Sequence, residues 1–169
     1  TSFDMSAFSR GEYAKALEQE TMAEVISKVL YPADNHIEGK RLRLKQQYFF
    51  VSASLHAILK SHLKRGFTLE ELPDKVAIHI NDTHPALAVP ELMRVLLDEC
   101  GYNWDEAWYI VYHTFAYTNH TVMKEALEVW NEDMFKRLLP RIYQIVCEIN
   151  RRFTAEVYDR WQDSDKASR

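Results

Sequence analysis

The first half of the chain carries apolar residues at the three- and four-residue intervals of amphipathic helices. One helix is predicted over residues 9–30, ending before Pro32 because the residue preceding a proline is pushed out of the helical region. A longer helix is predicted over residues 38–65, with Gly66 as its natural C-terminal residue. Its apolar face comprises Leu44, Tyr48, Val51, Leu55, Ile58 and Leu63. A short polar loop is expected between the two helices.

In the second half, helical patterns alternate with two short β-prone runs. Residues 76–80 form a compact β-branched run that predicts a buried parallel strand, and residues 114–118 predict a second strand. Further helices are predicted over residues 88–101, 104–113 and 131–139, and from Pro140 onward. Asn103 and Asn131 are predicted caps of two of these helices. The fold class is therefore α/β and predominantly helical. Since two parallel strands fall below the usual size of a stable sheet, we expect them to belong to a larger sheet.

Composition narrows the classes of function. The chain has 169 residues, a hydrophobic fraction of 47% and a net charge of −4, which predict one globular segment without a nucleic-acid or anionic-membrane surface. Neither a signal peptide nor a transmembrane run is predicted. Cys100 and Cys147 are expected to be buried free thiols in a reducing cytoplasm. With 4 glycines, the chain offers no glycine-rich phosphate loop.

Polar residues follow both predicted strands at the point where each ends. Asp82-Thr83-His84 follows the first strand, and Asn119-His120-Thr121 follows the second. The carboxyl ends of strands are where α/β folds bind ligands. The second group offers hydrogen-bond donors and acceptors but no strong nucleophile. It therefore favours recognition of a neutral, hydroxyl-rich ligand over covalent catalysis.

The residues alone leave several interpretations open. His79, Asp82 and His84 could ligate a metal, or Asp82 and His84 could form an acid/base pair. Asp82-Thr83 could equally be a helix-entry turn that caps backbone N–H groups. Asn119-His120-Thr121 could be a plain turn with a solvent-facing histidine. The segment Asp34-Asn35-His36 could gate a cleft or simply join two helices.

Six longer segments resemble the glycogen/maltodextrin (α-glucan) phosphorylase family. They are VLYPADNHIEGK (29–40), LRLKQQYF (42–49), KVAIHINDTHP (75–85), PELMR (90–94), AYTNHTV (116–122) and LLPR (138–141). The resemblance implies a retaining glycosyltransferase of the GT-B architecture, with two Rossmann-like lobes. Such an enzyme cleaves terminal α-1,4 glucosyl bonds with inorganic phosphate and yields glucose 1-phosphate. Its cofactor is pyridoxal phosphate, held by a lysine in the C-terminal lobe.

By this resemblance, residues 1–169 are one segment of the N-terminal lobe, and the C-terminal cofactor domain is absent. The isolated chain is then expected to be inactive, to hold neither cofactor nor metal, and to self-associate or form homodimers through apolar faces that the whole lobe would cover. The expected partners are α-glucan and phosphate, and the expected location is the cytoplasm. The alternative is a non-catalytic helical module that binds glucan or a protein.

The resemblance also assigns residues. His120 matches the histidine beside the anomeric centre, near the sugar 6-hydroxyl. Asn35 matches the asparagine that bonds the 2-hydroxyl, and Glu128 a glutamate that braces the gating loop. The implied substrate-binding set is Asp34, Asn35, Asp82, His84, Asn119, Thr121 and Glu128. Two departures, His36 for a phenylalanine and Lys60-Ser61 for an arginine pair, imply an enzyme that lacks the nucleotide-activation site of animal enzymes.

Overall fold

The computed structural model is mostly helical with one small parallel sheet, as the sequence pattern predicts. It describes residues 3–30, 32–33, 35–124 and 127–161. The elements in chain order are α1 (Met5–Ser9), α2 (Tyr13–Lys28), α3 (Ile37–Lys64), α4 (Leu72–Lys75), β1 (Ile78–Asn81), α5 (Ala88–Arg94), a π-helix (Val95–Glu99), α6 (Trp104–Thr114), β2 (Phe115–Thr118), α7 (Glu132–Leu138) and α8 (Pro140–Trp161). Within these described residues, no helix is long and apolar enough to cross a membrane.

The chain divides into two compact units, one ending at Phe50 and the other beginning at Val51. The first unit holds α1, α2 and residues 37–50 of α3. Asp4 caps α1 by accepting a 2.9 Å hydrogen bond from the Ala7 backbone N–H. The large apolar side chains of α2 are partly uncovered, with Tyr13 60% and Leu17 49% exposed. Little of this unit is therefore held by a hydrophobic core of its own.

The second unit is built around one hydrophobic core beside the sheet. The last turns of α3 contribute Val51, Leu55 and Leu59. Elements α5, the π-helix, α6 and α8 supply most of the remaining buried side chains: Leu92, Met93, Val95, Leu96, Ala107, Ile110, Val111 and Ile145. This core supports β1 from one side, through Ile80.

The predicted apolar face of α3 is correct over most of its length and wrong at its end. Leu44, Val51 and Leu55 are buried, but Leu63 is exposed. The helix instead buries His62, whose Nε2 lies 2.6 Å from the backbone oxygen of Thr68. A histidine ring can be buried there because its polar atom has a partner, which an apolar pattern does not reveal.

The two strands pair in parallel, which confirms the predicted sheet. Ile78 of β1 lies opposite Phe115, and Asn81 lies opposite Thr118. The prediction of a buried first strand is wrong, because only Ile80 of β1 is buried. Ile80 belongs to the core whereas His79 and Asn81 are exposed, so alternate side chains of β1 face outward.

The predicted helix over residues 88–101 consists of α5 and the π-helix that follows it. Cys100 and Cys147 are both exposed, so the prediction of buried thiols is wrong. Cys100 is the C-cap residue just beyond the π-helix, where the chain leaves the helix before Gly101 with its φ of 77°. On α8, Cys147 is two residues beyond the buried Ile145, which rotates it by about 200° to the opposite face.

Side-chain caps explain where α6 and α7 begin. The Asn103 Oδ1 accepts a 3.0 Å bond from Glu106 N, and the Glu106 carboxylate accepts one from Asn103 N, which completes a capping box. Asn131 caps α7 by accepting from Met134 N at 2.9 Å. These two predicted caps are confirmed. Helix α8 begins at Pro140 as predicted, where the missing N–H of proline costs no helical hydrogen bond.

Candidate functional site

The candidate site is built at the carboxyl ends of β1 and β2. Beyond the last strand pair, the Asp82 N–H donates a 2.8 Å bond to the Thr118 carbonyl, which extends the ladder by one residue. Asp82 has φ of 66°, a left-handed conformation that aspartate tolerates better than most side chains. This residue turns the chain sharply away from the sheet and places its carboxylate at the strand end.

The Asp82 carboxylate ties the turn after β1 to the loop after β2. Its Oδ1 accepts 2.8 Å from Thr83 N and 3.4 Å from the Thr121 hydroxyl. These bonds engage Asp82 with its own turn and with Thr121 rather than with His84, which is exposed in the following turn. Asp82 does not cap the following helix α5, whose N-cap residue is Leu87 and has no side-chain hydrogen bond. Neither the helix-entry cap nor the alternative Asp82–His84 acid/base pair is formed.

Asn119 closes the loop after β2 on itself. Its Oδ1 accepts a 2.9 Å bond from Thr121 N, and its Nδ2 donates a 2.9 Å bond to Thr121 O. The Asn119 amide thereby fixes both the backbone N–H and the backbone carbonyl of Thr121. The result is a tight turn that presents His120 at its exposed apex.

Two side-chain pairs cross between the strands beside this loop. His79 Nε2 lies 2.5 Å from the Thr118 hydroxyl, and His120 Nε2 lies 2.5 Å from Asn81 Oδ1. Sequence analysis did not assign a role to Asn81. The period-two alternation of β1, which places His79 and Asn81 on the same face, was the signal that could have indicated it.

The predicted gating loop belongs to the first unit. Asn35 is exposed, and Asp34 lies outside the described residues. His36 Nδ1 accepts a 3.0 Å bond from Gly39 N and so caps the start of α3. A Cβ at position 39 would stand 1.7 Å from the Ala33 carbonyl oxygen, so only glycine permits this loop to fold back onto the helix.

The structure therefore brings four predicted residues into one constellation: Asp82, Asn119, His120 and Thr121. His84 is in the adjacent turn, Glu128 is half-buried further along the chain, and Asn35 belongs to the first unit. The substrate-binding roles of all these residues stay predictions.

Neither a metal set nor a cofactor lysine is assembled in the part of the chain that the structure describes. Over these residues, no three His, Cys, Asp or Glu side chains lie close enough to share a metal ion. This finding gives no support to the alternative of a metal held by His79, Asp82 and His84. No described lysine is buried, whereas a Schiff-base lysine is activated by desolvation. The described residues thus do not fit a pyridoxal phosphate anchor.

The strand-end constellation consists of amide, hydroxyl, imidazole and carboxylate groups fixed by mutual hydrogen bonds. Such an arrangement recognises hydroxyl groups and supplies no nucleophile with an adjacent base. Fold and site together define a helix-rich α/β segment with a polar binding edge at the ends of parallel strands.

The sequence model of the carbohydrate phosphorylases matches residues 1–169, and the chain belongs to that family. It is 58% identical to the glycogen phosphorylase of Bacillus subtilis over 138 residues, which cover 82% of this chain and 17% of that protein. It is 51% identical to the glycogen phosphorylase of Haemophilus influenzae over 151 residues (89% of this chain, 18% of that protein). The glycogen phosphorylase of Saccharomyces cerevisiae is 51% identical over 170 residues, which cover 100% of this chain and 19% of that protein. The chain thus spans less than a fifth of the length of these relatives.

Proposed function

We propose that this chain is a segment of the N-terminal lobe of an α-glucan phosphorylase with the GT-B architecture. The complete enzyme transfers the terminal glucosyl unit of glycogen or maltodextrin to inorganic phosphate and releases glucose 1-phosphate. The proposal is supported by the family match over residues 1–169 and by relatives named glycogen phosphorylase at 51–58% identity.

The observation that carries the proposal is the network at the strand ends. Asp82, Asn119 and Thr121 are tied together by three hydrogen bonds that hold His120 outward. Fixed hydrogen-bond donors and acceptors suit the hydroxyl groups of a glucosyl unit. They contribute to rate where those hydrogen bonds tighten in an oxocarbenium-like transition state. In this proposal the segment forms one wall of the glucosyl subsite.

The individual roles follow the family resemblance. His120 lies at the anomeric centre and near the 6-hydroxyl, and Asn35 bonds the 2-hydroxyl from the gating loop with Asp34 beside it. Asp82, His84 and Thr121 line the β side of the sugar, and Glu128 braces the gating loop. Hydrogen bonds between preorganised polar groups and a polyol are the chemistry that these residue types permit.

Phosphorylases of this family use pyridoxal phosphate, which supplies a phosphate group for proton transfer when bound. We place its lysine outside this chain, in agreement with the finding that no described lysine is buried. Further parts of the proposal are a cytoplasmic enzyme, a homodimer, and no control by nucleotides. The location and the absence of nucleotide control rest on the resemblance, and the homodimer rests also on the uncovered apolar side chains.

The test compares the longer protein that contains this chain with the 169-residue chain alone. Both are incubated with maltodextrin, phosphate and pyridoxal phosphate, and glucose 1-phosphate is measured. We expect product from the longer protein and none from the short chain. A reading frame that stops soon after Arg169, or a longer protein without phosphorolytic activity, would instead support the non-catalytic binding module.

A further inference from the structure

The two cross-strand side-chain pairs at the site share the same offset of two residues from the strand register. In the parallel register, His79 lies opposite Ala116 and Asn81 lies opposite Thr118. Each β1 side chain nevertheless bonds the residue two positions further along: His79 reaches Thr118, and Asn81 reaches His120. The pairs are therefore successive rungs on one face of the sheet, and the second rung extends beyond the last strand residue.

The second rung determines the chemical state of the His120 ring. The amide oxygen of Asn81 can only accept a hydrogen bond, so the His120 Nε2 that lies 2.5 Å away carries the proton. In a neutral imidazole the other nitrogen, Nδ1, is then an acceptor. The partner at Nε2 thus selects both the tautomer and the rotation of the ring.

The backbone around His120 is fixed independently. Asn119 bonds both backbone groups of Thr121, and the Thr121 hydroxyl reaches Asp82. Because the main chain is held on both sides of His120, rotation about its side-chain bonds is the main motion left to the ring. Asn81 is the group that removes that freedom.

We propose that Asn81 is a positioning residue that aims His120, as the Nε2–H tautomer, so that Nδ1 accepts a hydrogen bond from the glucosyl 6-hydroxyl. This inference rests on the proposed function. Asn81 acts through His120 and does not itself touch the sugar. Its loss should therefore affect the contact at the 6-hydroxyl and leave other parts of the subsite intact.

The test measures wild-type and variant forms of the full-length enzyme with two substrates, and compares the effect of each substitution between the substrates. The kcat/KM is measured in the synthetic direction with glucose 1-phosphate and with its 6-deoxy analogue. We expect Asn81→Ala to lower kcat/KM for glucose 1-phosphate by roughly 10- to 100-fold, the range expected when a reacting group is misplaced. With the 6-deoxy analogue most of that loss should disappear, because the hydroxyl that His120 would bond is absent.

Thr118→Val is the matched control, since it breaks the first rung and leaves the Asn81–His120 pair in place. We expect it to lower kcat/KM less than Asn81→Ala and equally for both substrates. If Asn81→Ala lowered kcat/KM equally for the two substrates, or did not lower it at all, the inference would be overturned. Activity of the wild-type enzyme would in that case still support the proposed function. A wild-type enzyme without activity would refute both.

Asn81→Asp keeps a hydrogen-bond acceptor at this position, and it provides a second test in case Asn81→Ala does not fold. A carboxylate at this position favours the doubly protonated imidazolium, in which Nδ1 can no longer accept. We expect the acidic limb of its kcat/KM profile to move to higher pH, with activity recovering as the pH rises. An unshifted profile in a folded Asn81→Asp enzyme would also overturn the inference.

Discussion

Gly39 shows how a single missing Cβ shapes the loop before α3. The Ala33 carbonyl oxygen occupies the place of that atom, and His36 bonds the Gly39 N–H from the same loop. Position 39 thus couples the start of a helix to the segment that carries Asn35. Helix propensity alone would favour alanine over glycine at this position.

We predict that Gly39→Ala lowers the free energy of unfolding by about 1–3 kcal/mol, because the methyl group forces the loop away from the helix. Urea unfolding measures this change. Ser54→Ala, at an exposed position of the same helix, is the control and should change stability by less than about 0.5 kcal/mol. If Gly39→Ala were as stable as the wild-type chain, the close approach of Ala33 would be wrong.

Glu91 is a fully buried carboxylate at the centre of the second unit. Its two oxygens accept bonds of 2.8 and 2.9 Å from Arg94, and Ser52 donates another at 2.8 Å. Arg94 also forms an ion pair with Glu99 at 2.7 Å, so removal of Glu91 leaves Arg94 with one carboxylate partner. The stability of this region therefore depends in part on the Glu91–Arg94 pair.

We expect Glu91→Ala to cost about 1.5–3 kcal/mol of unfolding free energy, the range for losing hydrogen bonds to a charged group, since Arg94 keeps its ion pair with Glu99. Glu156→Ala removes an exposed partner of Arg160 and should cost less than about 1 kcal/mol. Chemical denaturation of both variants gives the comparison. Similar costs for the two substitutions would argue against the burial of Glu91.

Individual polar residues were the least predictable feature of this chain. Asn119, His120 and Thr121 could be placed together because they follow a predicted strand. The bond between Asn81 and His120 depends on the register of two strands that are distant in sequence. The burial of Glu91 and His62 likewise depends on partners that a hydrophobic pattern does not identify.

Among the helices, α8 and the π-helix are joined by an ion pair. Arg141 donates 2.8 and 2.6 Å bonds to the two oxygens of Asp98. Hydrogen bonding to Arg141 holds the pKa of Asp98 below its ordinary value of 3.8, against the opposing effect of partial burial. Since the pKa is lowered in the folded state, the pair stabilises the fold above pH 3.8 and loses its effect as the pH falls through the lower folded value.

We therefore predict that Asp98→Asn destabilises the chain at neutral pH by no more than about 1 kcal/mol, since both side chains are partly exposed. The difference from wild type should shrink as the pH falls below 3.8. Urea unfolding at neutral and acidic pH tests this dependence. A difference that stayed constant over this range would exclude the ion pair as its cause.

Helix boundaries were predictable where side chains mark them. Asn103, Asn131 and Pro140 each stand at a helix start that the structure reproduces. The π-helix was not predictable, because no residue in Val95–Glu99 marks a change of helix type. Cys100 is exposed because it lies at the C-cap, where the chain leaves that helix. The parallel pairing of the strands was predicted correctly, whereas their burial depends on neighbouring elements.

Uncovered apolar side chains characterise the described chain as a whole. Val129 is 74% exposed, Phe153 64% and Tyr112 66%. Large apolar side chains that form a continuous exposed surface mark sites that bind other protein. Together with a length below a fifth of that of the three relatives described above, they agree with the proposal that this segment packs within a larger lobe. Self-association of the isolated chain stays a prediction.

The central claim is that this segment supplies the sugar-recognising wall of a glucan phosphorylase. Its most direct test is the phosphorolytic kcat/KM of the full-length enzyme with His120→Ala, with exposed His113→Ala on α6 as the matched control. We predict a loss of roughly 100- to 1000-fold for His120→Ala, as for removal of a group that stabilises the transition state, and unchanged activity for His113→Ala. Wild-type activity in a folded His120→Ala enzyme would contradict the account.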